Sequence, residues 1–251
     1  MWNENRLPKP QQLSTWQDEM DTMSHNIRQK ALSNNGTLNI LEAGCGNMTG
    51  LNLEGIQYTL TGVDIDKNAL DIRNKQERKL DISIIGDLRN VKIEEKRFDV
   101  IYNSYVLEHI EGAEGVLGNF VRWLKPGGIL VLRIPNRDSV RGFLTRITPF
   151  WFHVFYAKHM QGYKDAGKPG FAPYPTYYDK VVSRRGIYEF CNRYGLKVKA
   201  EYSGGHGRKN RRISMIADKM ADWILHTATL NLLFSKHTIL IYSIEKTSNA
   251  E

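Results

Sequence analysis

The chain is poor in cysteine, with only Cys45 and Cys191 among its 251 residues. The two lie far apart and lack the spacing of a metal knuckle or a redox pair, which argues against a disulfide framework and fits a reducing cytoplasm. Long apolar runs are missing too. No stretch reaches the roughly 18 apolar residues that suggest a membrane-spanning helix, and the N-terminal residues show neither the apolar core nor the small-residue cleavage pattern of a secretory leader. Internal repeats and low-complexity tracts are absent. Acidic residues are the scarcer charge, 27 against 35 Lys plus Arg, which leaves a formal net charge of +8. That excess suits an anionic partner such as a nucleic acid, a phosphorylated substrate or a lipid surface, but basic proteins without such partners are common.

What is present is an ordinary soluble composition, 41% hydrophobic and 25% charged, in a chain long enough for one large α/β domain with insertions. Trp16, Met20, Met23 and Ile27 recur at steps of four, three and four, which predicts an amphipathic helix over 11–32 covering the core or a ligand cleft. Strand patterns then alternate with helix patterns: LNILEA, YTLTGVDI, DISIIGD and FDVIYNS as strands, KNALDIRNKQER and EGVLGNFVRWL as helices. Such alternation predicts parallel strands with crossover helices. Pro126 and the glycines of KPGG are expected to stop the second helix before the strand ILVLRIP.

Residues 138–179 carry aromatics, prolines, glycines and basic residues with no clean period, and read as an insertion over an active site. Ser183 is an expected N-cap for a helix with Ile187, Phe190, Cys191 and Tyr194 on one face, ended by Gly195. LKVKAEY alternates as a strand. A second excursion over 203–235 holds the basic cluster RKNRR and an amphipathic pattern before the last strand, HTILIYSI. Two closing strands without a short crossover predict an antiparallel pair at the sheet edge. The expected organisation is a helical cap (1–36), a core (37–136), a lid (137–182) and the rest of the core (183–247).

The stretch NILEAGCGNMTGLN places Gly44, Gly46 and Gly50 after an apolar strand. A glycine-rich turn leaving a strand lets backbone N–H groups approach a ligand that side chains would push away. The pattern has one residue more than the dinucleotide G-x-G-x-x-G. Asp64 ends the next strand twenty residues after Gly44, within reach of a ribose. Asp87 ends the strand after that, where it can accept from the amino group of adenine while the Leu88 N–H faces a ring nitrogen. Three strand ends thus converge on an adenosine-type ligand.

LEAGCGNMTG, GVDID, GDL, FDVIYNSYVLEHI and LKPGGILVLRIPN occur in order over 39–136. In this the sequence resembles the class I S-adenosylmethionine-dependent methyltransferases of the small-molecule type. The resemblance implies a Rossmann-like α/β fold, a mostly parallel seven-stranded sheet with an antiparallel edge strand and lid insertions. It also implies S-adenosyl-L-methionine as cofactor, S-adenosyl-L-homocysteine as product and a role in biosynthesis. It assigns Glu42, Gly44 and Gly46 to the methionine part, Asp64 to the ribose, Asp87 to the adenine and Asn103 to the neighbourhood of the methionine amino group, with Ile65 and Leu88 also in the cofactor-binding set. The first crossover, NMTGLNLEGIQYT, is short of helix formers and should be stubby.

Methyl transfer from a sulfonium needs mainly an in-line nucleophile, and a hydroxyl nucleophile gains from a nearby base. His109, just beyond the fourth strand of the motif set, is the first candidate. His153, His159 and Tyr178 in the insertion come next, and Arg137, Arg141 and Arg146 could meet anionic groups. Ubiquinone-pathway O-methyltransferases hold a divalent metal with a similar E-x-x-E-H pattern. Here Tyr105 stands in the first position, so no metal is expected. The preferred acceptor is a hydroxyl on a small or medium-sized metabolite: a saccharide, or a glycosylated or lipid-linked intermediate, anionic or amphipathic. RNA is the rival, prompted by RKNRR and opposed by NSYV where base methylases carry an NPPY-type motif. A membrane-peripheral location is the third reading, since the basic cluster precedes an amphipathic pattern.

Overall fold

The computed structural model describes residues 7–34, 36–75, 80–160, 162–168, 173–204, 235 and 237–247. The cluster RKNRR and the amphipathic pattern after it lie outside the described residues. Eight strands among the described residues form one sheet: β1 (Gln11–Gln12), β2 (Leu38–Ala43), β3 (Tyr58–Asp64), β4 (Ile82–Ile85), β5 (Phe98–Ser104), β6 (Leu124–Pro135), β7 (Leu196–Gly204) and β8 (Ile239–Lys246). Their order is β1-β7-β8-β6-β5-β2-β3-β4. Every pairing is parallel except those of β8, which runs antiparallel to both β6 and β7. The expected antiparallel pair is therefore present at this end, and the two-residue β1 adds an eighth strand outside it.

Alternation along the strands sorts the core into two layers. Ile40, Val100, Val131 and Ile241 face helices α1 (Trp16–Leu32) and α2 (Lys67–Arg73), while Leu41, Ile101, Leu132 and Tyr242 face α3 (Ala113–Trp123) and α6 (Arg184–Arg193). Met23 and Ile27 of α1 are fully buried. Each side chain so buried contributes about 1.5–3 kcal/mol.

Helix α1 begins at Trp16, the first residue of the apolar stripe and five residues later than the expected start at 11, because Thr15 and Asp18 close a reciprocal capping box. Upstream, Gln11 and Gln12 extend beside Tyr202 and Ser203. The α3 helix ends at Trp123, and β6 starts at Leu124 without a loop. KPGG thus belongs to a strand, and Gly127 with φ +73° supplies the irregularity. In the expected insertion, α4 (Val140–Ile147) and α5 (Phe150–His159) are helical. Their pattern hid this because α5, FWFHVFYAKH, is apolar on every side and has no amphipathic period. The Ser183 cap of α6 is formed, its Oγ accepting from the Gly186 N–H at 3.0 Å, and Gly195 follows at φ +63°.

Candidate cofactor and active site

The carboxyl ends of β2 to β6 open into one cavity of about 700 Å³. Its floor is the loop after β2. Gly44 (φ +71°) and Gly46 (φ +57°) adopt left-handed backbone that a side chain would strain. A Cβ at Gly44 would collide with Val106, while one at Gly46 would meet nothing within 4 Å. The space above Gly46 is therefore open to a ligand. Gly50 serves packing instead, since a Cβ there would strike Met20 of α1.

Asp64 shapes this loop from the end of β3. Its Oδ2 accepts from the Gly46 N–H at 2.8 Å and its Oδ1 from the Asp66 N–H at 2.9 Å. Each oxygen keeps a lone pair for a ribose hydroxyl. Ile65 lies exposed on the cavity wall, and Leu88 lines it from a buried position. Asp87 also faces the cavity but is held by Arg89, whose Nε lies 3.1 Å from Oδ1 and 3.0 Å from Oδ2. That hydrogen bonding keeps the Asp87 carboxyl below the usual range.

Beneath the loop, Glu42 is buried and paired at 3.3 Å with Arg73 of α2, itself wholly buried. Burial pushes the Glu42 carboxyl up, and the Arg73 guanidinium partly offsets this. Asn103 does not line the cavity. It is fully buried, and its Nδ2 donates to the Ala43 carbonyl at 2.8 Å, so the side chain props the end of β2 from behind. The side chain thus does not reach the space expected to take a methionine amino group. Cys45 lines the cavity, but burial pushes its thiol up to about 12 and leaves it a poor nucleophile.

The turn after β5 carries the candidate base. His109 Nδ1 lies 2.7 Å from the Pro175 carbonyl oxygen, which can only accept, so Nδ1 carries the proton. In the neutral ring Nε2 is then unprotonated. Burial lowers the His109 pKa despite the Pro175 contact, which keeps the ring neutral near pH 7. The segment around Pro175 is docked on this turn by further bonds. The Tyr177 N–H donates to the Glu108 carbonyl at 2.8 Å, and the Ala113 N–H donates to Asp179 Oδ2 at 2.7 Å, capping α3 where Gly112 offers no side chain. Tyr174 stands edge-on to His109 with centroids 5.7 Å apart.

The other candidates lie elsewhere. His153 Nε2 is bonded to Thr148 Oγ1 at 2.6 Å near the start of α5, and His159 stacks on Phe155 at the exposed end of that helix. Neither lines the cavity, and Tyr178 is packed into the core with its hydroxyl pKa raised by burial. Arg141 and Arg146 are exposed, and Arg137 lies 3.7 Å from Asp138; none of the three lines the cavity. Tyr177, an expected binding group of the insertion, lines the cavity, and Tyr174, Trp16 and Arg133 are among the lining residues the sequence pattern did not single out for chemistry. For Arg133 the available signal was a charge in the middle of the apolar strand ILVLRIP.

Comparison with known proteins bears on this geometry. Residues 41–132 match the family described as a methyltransferase domain. The ubiquinone biosynthesis O-methyltransferase of Rickettsia typhi is 25% identical over 64% of this chain and 61% of its own length. The curated relatives from Mycolicibacterium smegmatis and Coxiella burnetii are matched over 44% and 51% of theirs. Among solved structures, the plantazolicin methyltransferase BpumL, in complex with SAH, is 16% identical with a TM-score of 0.51, covering 92% of this chain and 87% of that one. The cyclase SpnF is 14% identical with a TM-score of 0.54, over 98% and 85%. At such identities the two structures show a shared fold alone. The family match over residues 41–132, the glycine loop and the sheet order agree, and the chain carries a methyltransferase domain with the fold of the class I S-adenosylmethionine-dependent enzymes.

Proposed function

We propose that this protein methylates a hydroxyl group of a small or medium-sized metabolite, with His109 as the general base. The observation that carries the reading is the protonated Nδ1 of His109 bonded to Pro175, which leaves Nε2 as a proton acceptor in a residue of the cavity wall. The cofactor supplies an electrophilic methyl on a sulfonium that leaves as a neutral thioether. The loop at Gly44 and Gly46 would hold its methionine part above Glu42, Asp64 would take the ribose, and Asp87 with the Leu88 N–H would take the adenine once Arg89 yields. His109 Nε2 would take the proton of the acceptor hydroxyl, whose oxygen would receive the methyl group as the sulfur–methyl bond breaks. Tyr174 and Tyr177 line the cavity beside that base, where aromatic rings suit contact with a sugar or an aromatic acceptor.

The likeness to SpnF is a reason to test the reaction and not only the fold. Methyl-labelled cofactor is incubated with phenols, saccharides and polyprenyl-linked sugars, and label is expected on a hydroxyl oxygen. Label on tRNA, or on a carbon or nitrogen acceptor alone, would sink the proposal.

A lipid-like acceptor met at a membrane surface has one observation in its favour. Trp151 and Phe155 of α5 are 68% and 50% exposed, with Arg146 and Lys158 close to them in sequence. Among the described residues no helix is long and apolar enough to cross a membrane.

A further inference from the structure

The cavity wall is rich in carboxylates. Glu42, Asp64, Asp66, Asp87 and Glu111 all line it. That balance suits hydroxyl groups and cations, and it repels a carboxylate. Yet a cofactor with an amino-acid end brings a carboxylate into this space, and that group needs a positive partner. Among the lining residues only Arg89 and Arg133 carry a permanent positive charge. Arg89 stands beside Asp87, at the end of the cavity assigned to the adenine, and contacts both of its oxygens there.

Arg133 is differently built. It lies near the carboxyl end of β6, level with Ser104 of β5, and is 5% exposed. Its Nη2 donates to Glu19 of α1, and its guanidinium carbon sits 4.3 Å from the centroid of the Tyr105 ring. Tyr105 holds that ring in place from a left-handed backbone, φ +56°. The guanidinium is thus fixed flat by an aromatic face and steered by one acid, while its Nε is buried without a partner. An arginine fork presents five donors, and Glu19 engages it from one side. A buried ion pair adds little to stability by itself, and an incompletely bonded one adds less.

We propose that Arg133 is the carboxylate-binding residue of this cavity, held for that task by the positioning residue Glu19 and the face of Tyr105. The inference rests on the assignment of the cavity to S-adenosylmethionine. The carboxylate is that of the cofactor's methionine part or that of an acceptor, and the same fork receives either.

Calorimetry on the full chain separates these sources with three probes: S-adenosylhomocysteine, its analogue lacking only the carboxylate, and benzoate added to protein saturated with S-adenosylhomocysteine. If the cofactor supplies the group, Arg133→Gln weakens S-adenosylhomocysteine about 30-fold and leaves the decarboxylated analogue unchanged. If the acceptor supplies it, both nucleosides bind the variant as they bind the wild type, and benzoate binding is lost. Wild-type affinity of the variant for all three probes overturns the proposal. Failure of the wild-type protein to bind S-adenosylhomocysteine overturns the cofactor reading beneath it, which is a distinguishable result. Should Arg133→Gln not fold, Glu19→Gln decides. Removal of the competing charge tightens the carboxylate probe several-fold and leaves the decarboxylated analogue unchanged, whereas no change in either refutes the role.

Discussion

Two buried arginine–glutamate pairs in this molecule are built to opposite standards. Behind the sheet end, Arg184 of α6 meets Glu201 of β7 in a two-pronged pair, Nε to Oε1 and Nη2 to Oε2, both at 2.7 Å. The Tyr242 and Tyr188 hydroxyls complete the same carboxylate at 3.0 and 3.1 Å. At the cavity, Arg133 touches Glu19 through one nitrogen and leaves Nε unbonded. The contrast extends further. The buried side-chain atoms without partners among the described residues belong to Arg73, Asn103, Glu108 and Arg133. Arg133 lines the cavity, Asn103 and Glu108 lie on the strand and turn beside it, and Arg73 of α2 pairs with Glu42 beneath its floor. Full satisfaction stabilises a fold, while groups held short of it keep capacity for a ligand.

The largest effect should come from the satisfied network. Glu201→Ala leaves a buried guanidinium and two tyrosine hydroxyls without their acceptor, which should cost about 3–5 kcal/mol of stability. Denaturant unfolding should record that loss with cofactor affinity unchanged. A comparable loss of affinity would erase the distinction between the two regions.

His109→Ala should lower turnover by about 10² or more while S-adenosylhomocysteine still binds, as expected when a general base is removed. The wild-type rate should fall on the acid side with an apparent pKa below the usual histidine value and stay level through neutral pH, because burial favours the neutral ring. If rate, binding and melting temperature fall together, the residue is a packing element of the lid contact.

Asp64→Ala should weaken cofactor binding by about 1.5–3 kcal/mol, measured by calorimetry, since both the ribose contact and the tie to the Gly46 N–H are lost. Unchanged affinity would remove Asp64 from the binding set.

The smallest effect is a slope. Burial pushes the Glu108 carboxyl up to about 8. The folded state then binds a proton that the unfolded state has lost, so this group's contribution to stability is present below about pH 4.5 and declines as pH rises towards 8. Glu108→Gln should flatten that part of the melting-temperature profile. A profile that keeps its slope would place the carboxyl in contact with water.

Most of the architecture was legible in the order of residues, for reasons that are local. Strand and helix periods, the Ser183 cap and the glycine loop are set by neighbours within a few positions. The two acids at the ends of successive strands follow from parallel topology, which brings such ends to one side. Tertiary packing alone decided the rest. Asn103 and Tyr178 looked available in the chain and were drawn into the interior, because the bonds and apolar contacts they make there come from residues far away in sequence. Tyr174 and Pro175 reached His109 because the segment that carries them folds back on the turn after β5, across 66 residues. The charge of Arg133 acquired its setting from Glu19, 114 residues away. A sequence carries the period of its elements within each element, whereas the partner of a buried charge depends on which elements meet.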